Sequence, residues 1–266
     1  GMELPDRNGS KDALKFKLKN EIININKFAA QSFYSNLISS NGLNAVEYLK
    51  KRNISSSTMR KFGLGYSLPA GNSLYKLLQK KSFSNDAIIK SGLILKGKNG
   101  EYFDRFRNRL MFPIFNVRGN IIGFGGRSLD NSLPKYMNSP ETLVYSKGRN
   151  LYALNIAKNF KDKKLIIVEG YIDVITLHQN GIINSVASLG TALTENQGRL
   201  LKKYAEEIII SFDADTAGKS AALKSLEMLS DIGCNVKVLT IPDGKDPDEY
   251  VIKNGADAFN KLIDKS

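Results

Sequence analysis

The sequence predicts a two-lobed α/β protein. A basic, mixed α+β lobe covers residues 1–146, and a lobe built on a four-stranded parallel sheet flanked by helices covers residues 147–266. Three observations carry this. From Lys164 onward, short apolar runs alternate with helical segments, the pattern of a parallel sheet with right-handed crossovers. Upstream, helical spacing gives way to hairpin-like runs. Charge is also segregated: residues 1–160 hold 26 Lys and Arg against 10 Asp and Glu, whereas residues 161–266 hold 13 against 16. At 266 residues the chain is long enough for a sizeable core.

Residues 1–20 are polar and lysine-rich and read as loose. Ile22, Ile25, Phe28, Ala29, Phe33 and Leu37 fall at helical spacing, with Asn24 or Asn26 as cap. A second helical pair covers 44–62, interrupted near Asn53–Ser57, and Gly63 and Gly65 mark a turn. Leu74–Gln79 is a short helix, and Ser84–Ser91 is another, closed by Gly92. The period then changes: Leu93–Leu95, Arg109–Phe115 and Ile121–Phe124 read as strands, the last two joined by a hairpin turn over 116–120. Pro113 implies an edge strand or a bulge. Residues 127–150 read as an extended loop.

In the second lobe the expected strands are Leu165–Val168, Ser185–Leu189, Ile208–Phe212 and Val236–Ile241. The helices between them are Tyr171–Asn180, Thr194–Tyr204 and Thr216–Ile232, with Gly181 and Gly233 closing the first and third. One or two short helices follow over 246–266. Ligands of such sheets bind beyond the carboxyl ends of the strands.

Composition excludes several classes. No apolar run approaches a membrane span, and no secretory pattern opens the chain. Cys234 is the single cysteine, which leaves no intrachain disulfide or cysteine-rich zinc site and fits a reducing cytoplasm. The basic first lobe suits a polyanion, although any net charge also serves solubility.

The chemistry gathers in acids at the ends of apolar runs. Glu169 follows the first strand, Asp213 and Asp215 follow the third, and Asp246 and Asp248 come after the fourth. Unpaired charge is costly at buried strand ends, and grouped carboxylates repel unless a cation joins them. Oxygen ligands suit a hard divalent cation. Asp213 and Asp215, two apart on an extended segment, share one face, though either alone also suits a helix N-cap. If the first and third strands are neighbours, the clusters converge. Asp173 is either a helix-dipole partner or a residue that holds a ligand in place.

Arg105, Arg107 and Arg109 alternate with Phe106 and Asn108, and on a strand they form one cationic face, or else a charge-protected edge. Gly125-Gly126-Arg127 and Pro134-Lys135-Tyr136 add two cations and a ring able to stack on a base. Gly190, before Thr191, suggests a glycine turn opening a helix whose amides meet a phosphate. His178 sits mid-helix away from the acids and suits packing better than catalysis.

These residues resemble a known family. Val168-Glu169-Gly170-Tyr171-Ile172-Asp173-Val174, Ala187-Ser188-Leu189-Gly190-Thr191-Ala192, Phe212-Asp213-Ala214-Asp215-Thr216-Ala217-Gly218 and Asp246-Pro247-Asp248 closely resemble the Toprim core of bacterial DnaG-type DNA primases. Phe106-Arg107-Asn108-Arg109-Leu110-Met111-Phe112-Pro113-Ile114, Gly123-Phe124-Gly125-Gly126-Arg127 and the segment Pro134–Thr142 resemble the basic lobe of the same polymerase domain. The match runs from about residue 25 to 260. The Toprim acids also occur in topoisomerases and nucleases; the basic-lobe motifs are more specific to primases.

The resemblance implies a nucleotidyltransferase of DNA replication that copies single-stranded DNA into short RNA primers from ribonucleoside triphosphates. It implies magnesium or manganese on Glu169, Asp213, Asp215, Asp246 and Asp248, with Glu169 also an acid/base candidate. Arg127, Lys135 and Tyr136 line the site for template, primer or nucleotide phosphates, and Arg52 lies in the template groove. The family's zinc-binding domain, its helical region and the domain that binds the replicative helicase are not represented, so zinc and helicase are expected only with those missing parts. The expected location is the cytoplasmic replication fork, with no membrane partner. Two alternatives stay open on the residues: a Toprim-type strand-cleaving enzyme, or a non-catalytic DNA-binding module.

Overall fold

The computed structural model describes residues 7–130, 132–190, 192–242 and 246–265. The helices are α1 (Arg7–Ile38), α2 (Leu43–Lys51), α3 (Ser56–Phe62), α4 (Ser73–Lys80), α5 (Asn85–Lys90), α6 (Leu154–Ala157), α7 (Tyr171–Gln179), α8 (Glu195–Tyr204), α9 (Thr216–Asp231), α10 (Pro247–Asn254) and α11 (Ala256–Lys265). The strands are β1 (Gly65–Ser67), β2 (Ile94–Lys96), β3 (Tyr102–Asp104), β4 (Arg109–Phe115), β5 (Ile121–Ser128), β6 (Tyr136–Asn138), β7 (Lys164–Val168), β8 (Ser185–Ala187), β9 (Glu207–Ile210) and β10 (Asn235–Val238). The chain divides into two compact units: residues 1–46, 64–113 and 120–145 form one, and residues 47–63, 114–119 and 146–266 the other. Residues 47–63 and 114–119, which the sequence assigns to the first lobe, thus fall in the second unit.

The first unit packs α1 against an antiparallel sheet of order β1-β4-β5-β6, with α4 and α5 packed on α1 and on the separate β2–β3 pair. Its core joins Ile25, Ala29 and Phe33 of α1 to Leu78, Ile88, Met111 and Phe124. Residues 7–20, expected to be loose, belong to the 32-residue α1. No Gly or Pro interrupts the stretch from Ser10 to Asn41, so propensity carries the helix outward from its buried half. Asn24 and Asn26 therefore lie inside the helix rather than capping it. Asn26 is buried and donates from Nδ2 to the Ile121 carbonyl at 3.2 Å.

Three further expectations change here. Gly65 is in a strand, not a turn, because α1 crosses close by: an added Cβ would stand 2.5 Å from the Phe33 Cβ. β4 is an inner strand, and Pro113, which has no N–H to donate, is tolerated because β1 pairs only with residues 109–111, leaving no β1 carbonyl that needs a donor beyond Met111. The expected loop over 127–150 contains the end of β5, β6 and a 3-10 turn at Lys147–Arg149.

The second unit is built on a parallel sheet of order β10-β9-β7-β8 flanked by helices. Its core includes Leu151, Leu165, Ile167, Val186, Leu201, Ile208, Ile210 and Leu229. β7 pairs with β9 in the register Leu165↔Ile208, so the first and third strands of the alternation are neighbours. That adjacency is the condition for the acids to converge. His178 is buried, with Nε2 2.9 Å from the Ser185 carbonyl and its ring edge-on to Phe62.

Candidate active site

Glu169 follows the last residue of β7, and Asp213 lies three residues beyond β9, so both stand at the carboxyl end of adjacent strands. They are tied directly: the Asp213 N–H donates to Glu169 Oε1 at 3.1 Å. Asp215 is the N-cap of α9, and its Oδ1 accepts the Gly218 N–H at 2.6 Å. The capping role weighed for this residue is thus filled. Gly218 is obligatory for the knot, because a Cβ there would run into the Asp213 carbonyl and stand 2.9 Å from Glu169 Oε1. Asp246 caps α10 without a side-chain bond to its amides, with Pro247 at the first helical position. Asp248, in the first turn of α10, is 4% exposed.

The acids feel one another. Burial, followed by the charges of Glu169, Asp246, Asp215 and Asp248, pushes the Asp213 carboxyl up to about 7. Burial raises Glu169, with Asp215 and Asp246 adding to the rise and the Asp213 amide opposing it. Burial also raises Asp246, aided by Glu249 and Asp215 and opposed by Arg52. Asp248 is raised by burial, against the Glu249 amide and Arg52. Asp173 is pushed up to about 8 by burial and by Asp248 and Asp213. Its Oδ2 accepts the Gly170 N–H at 2.8 Å, which fixes the turn that carries Glu169. Of the two roles expected for Asp173, this contact supplies a local one.

Carboxylates raised by burial and by one another's charge are a donor set that fits a hard cation, since the cation replaces the missing protons. Among the described residues, no three His, Cys, Asp or Glu side chains already surround one point at ligating distance. Sharing an ion therefore requires these side chains to turn toward it. Cavities of about 290 and 280 Å³ open on either side of Phe212, the first reaching Asp213 and the second Glu169, Ser188 and Gly190.

Gly190 adopts φ +71 but does not open a helix: α8 starts at Glu195, capped by Thr194. Thr194 Oγ1 accepts the Gln197 N–H and donates to the Gly148 carbonyl, while the Gln197 amide donates to the carbonyls of Lys147 and Asn150. The start of α8 is thus fastened to the 147–150 turn rather than offered to a phosphate. Thr191 and Lys245 lie outside the described residues. Lys147, which the sequence did not single out, donates from Nζ to the carbonyl of Gly190, a residue that lines the cavity with Glu169, at 3.3 Å. Only the Lys147-Gly148-Arg149 run signalled it, and a lone basic run is a weak signal.

In the first unit, Arg127 and Tyr136 are cross-strand partners on β5 and β6, with the Arg127 guanidinium 5.7 Å from the Tyr136 ring centroid. Lys135 is exposed beside them. The expected single face of Arg105, Arg107 and Arg109 does not form. Asn108 takes φ +50 and breaks the alternation, and only Arg109 is in a strand. Arg109 is buried, donating from Nη1 to the carbonyls of Gly126, Pro134 and Lys135. Arg105 is partly buried and donates from Nε to the Gly92 carbonyl, which leaves Arg107 as the exposed member. Arg52 belongs to the second unit, where Nη1 lies 3.8 Å from Asp248 Oδ2.

An acidic rim over a β10-β9-β7-β8 parallel sheet defines a Toprim-type domain, and residues 166–251 match a family model described as Toprim-like. Residues 32–158 match the model of the DNA primase catalytic core, N-terminal domain. The chain belongs to the DnaG primase catalytic-core family. It is 49% identical over 263 residues to the DNA primase of Clostridium acetobutylicum, covering 98% of this chain and 44% of that protein. It is similar to the crystal structure of a DNA primase domain from Pseudomonas aeruginosa, at TM-score 0.85 and 40% identity over 92% of this chain and 78% of that one. It is also similar to a DnaG primase catalytic domain bound to single-stranded DNA, at TM-score 0.86 and 35% identity over 94% and 82% of the two chains. The chain spans less than half the length of the Clostridium relative. No helix among the described residues is long and apolar enough to cross a membrane.

Proposed function

We propose that this chain is the catalytic portion of a DNA primase, joining ribonucleotides into short RNA primers on a single-stranded DNA template. The observation that carries this reading is the acidic rim of Glu169, Asp213, Asp215 and Asp246, from loops that follow three neighbouring strands: burial and the charges of the neighbouring acids raise the proton affinity of Glu169, Asp213 and Asp246. These four would hold magnesium or manganese, and the set is all oxygen. Bound there, such ions stabilise charge on the attacking and leaving oxygens of nucleotidyl transfer. In that reaction a primer 3′-hydroxyl attacks the α-phosphate of a ribonucleoside triphosphate, and pyrophosphate leaves. Glu169 Oε1 is fixed by the Asp213 amide, which leaves Oε2 to ligate or to receive the hydroxyl proton. Arg127, Lys135 and Tyr136 bind template or nucleotide phosphates, with the ring available for stacking. Arg107 adds an exposed cation for the template backbone, so affinity falls steeply with salt. The setting of this reaction is the cytoplasmic replication fork, and contact with a replicative helicase belongs to the whole protein.

Incorporation of labelled ribonucleotides on single-stranded DNA, with manganese or magnesium, tests the reading. Asp213→Ala abolishes synthesis and leaves single-strand binding within about twofold of the parent, because the template is held by separate cations. Synthesis retained by that variant, or cleavage of the DNA in place of synthesis, contradicts it.

A further inference from the structure

We propose that Asp248 is a positioning residue for Arg52 rather than a ligand of the ion, and that Gln179 completes the same cradle. The inference rests on the primase reading and divides the second aspartate pair: Asp246 serves the ion, and Asp248 serves a cation that meets a nucleic-acid phosphate.

Both carboxylate oxygens of Asp248 already have partners. Oδ1 accepts the Glu249 N–H at 2.8 Å, and Oδ2 lies 3.8 Å from Arg52 Nη1. The side chain is 5% exposed, so a hard cation approaching it would have to enter beside a guanidinium. Asp246 contrasts with it, being partly exposed and making no bond to the helix it caps. The Arg52 side chain is 44% exposed.

The backbone around Arg52 is tied at several points. Its N–H donates to the carbonyls of Tyr48 and Leu49, and Asn53 follows at φ +56. Gln179 on α7 then grips the next residues with both ends of one amide: Nε2 donates to the Asn53 carbonyl at 2.7 Å, and Oε1 accepts the Ser55 N–H at 2.8 Å. The Arg52 guanidinium carbon lies 5.9 Å from the Tyr48 ring centroid. Both α3 and α10 pack on α7, so one helix carries the clamp and supports the helix that bears Asp248. An arginine held in this way loses less rotamer freedom when it meets a phosphate.

The test uses the full chain, with Mn²⁺ titration calorimetry and oligothymidylate binding measured against salt. Asp246→Asn weakens Mn²⁺ binding by about tenfold, whereas Asp248→Asn stays within about threefold. Asp248→Asn also weakens DNA binding and flattens the salt dependence by about one phosphate contact, as Arg52→Met does. Once Asp248 is replaced, Arg52→Met has no further effect on that slope. The sign is diagnostic, because removing a negative charge would by itself strengthen DNA binding. The inference is overturned if Asp248→Asn loses as much Mn²⁺ affinity as Asp246→Asn, or binds DNA more tightly at an unchanged slope. If Asp248→Asn does not fold, Gln179→Ala decides: a flatter slope with Mn²⁺ affinity intact supports the cradle, and an unchanged slope overturns it. Failure of the underlying reading looks different, since Asp213→Asn and Asp246→Asn would then both bind Mn²⁺ as the parent does.

Discussion

The acidic rim and the arginine run of residues 105–109 are built from equally conspicuous sequence signals and come out opposite. The rim acids are scattered over 78 positions of sequence, from Glu169 to Asp246, and topology joins them because β7 and β9 are neighbours. The arginines alternate within five residues, and the backbone separates them because Asn108 turns left-handed. Buried Arg109 spends its charge on carbonyls, while the rim carboxylates are left to repel one another. Clustering of charge in space follows strand order, and adjacency in sequence is the poorer guide.

The sharpest way to break this contrast is to disturb the rim without touching a charge. Ala in place of Gly in a helix normally stabilises by about 1 kcal/mol. Gly218→Ala is expected instead to displace the Asp213 segment and to lower ribonucleotide incorporation by about 100-fold or more, a scale set by lost positioning. On the arginine side, Arg109→Met removes donors from three carbonyls and should cost about 2–4 kcal/mol in urea unfolding. Arg107→Met, at an exposed position, should stay within about 0.5 kcal/mol of the parent and show itself in DNA affinity. Equal losses from the two variants would dissolve the distinction.

Protonation sharpens the comparison further. Asp213 at about 7 and Asp173 at about 8 lie above the ~4 of an unfolded chain. Raised carboxyl groups lend stability that is complete below about pH 4 and is lost as pH rises through 7 to 8. Without divalent ions, thermal stability should therefore fall between pH 5 and 8, and Mg²⁺ should restore more of it at pH 8 than at pH 5. Asp173→Asn should raise stability at pH 8 by about 1–3 kcal/mol, the gain shrinking toward pH 4. The smallest effect is expected at the exposed ring of the first unit: Tyr136→Ala should weaken single-strand binding by about 1 kcal/mol in fluorescence titration.

Much of the second unit was legible because each apolar run is short, bounded and followed by an amphipathic stretch, which leaves little choice but a parallel sheet. The acids were legible for the same reason, since a carboxylate after Val168 or Phe212 has no apolar excuse. Three kinds of feature were not. The outward extension of α1 shows no apolar periodicity and only Leu18 of it packs on the core, so propensity largely builds it. β3 and β6 are three residues long and carry no alternation. The tie between Arg52 and Asp248 joins residues almost 200 positions apart that look, in sequence, like a helix-end cation and a ligand.

The most direct test of the rim is Mn²⁺ titration at pH 7, run in two buffers of different ionisation heat. The account predicts saturable binding that releases protons, because Asp213 is about half protonated there, with both binding and release sharply reduced in Asp213→Asn. Equal affinity in the two proteins, with no proton release from either, would contradict it.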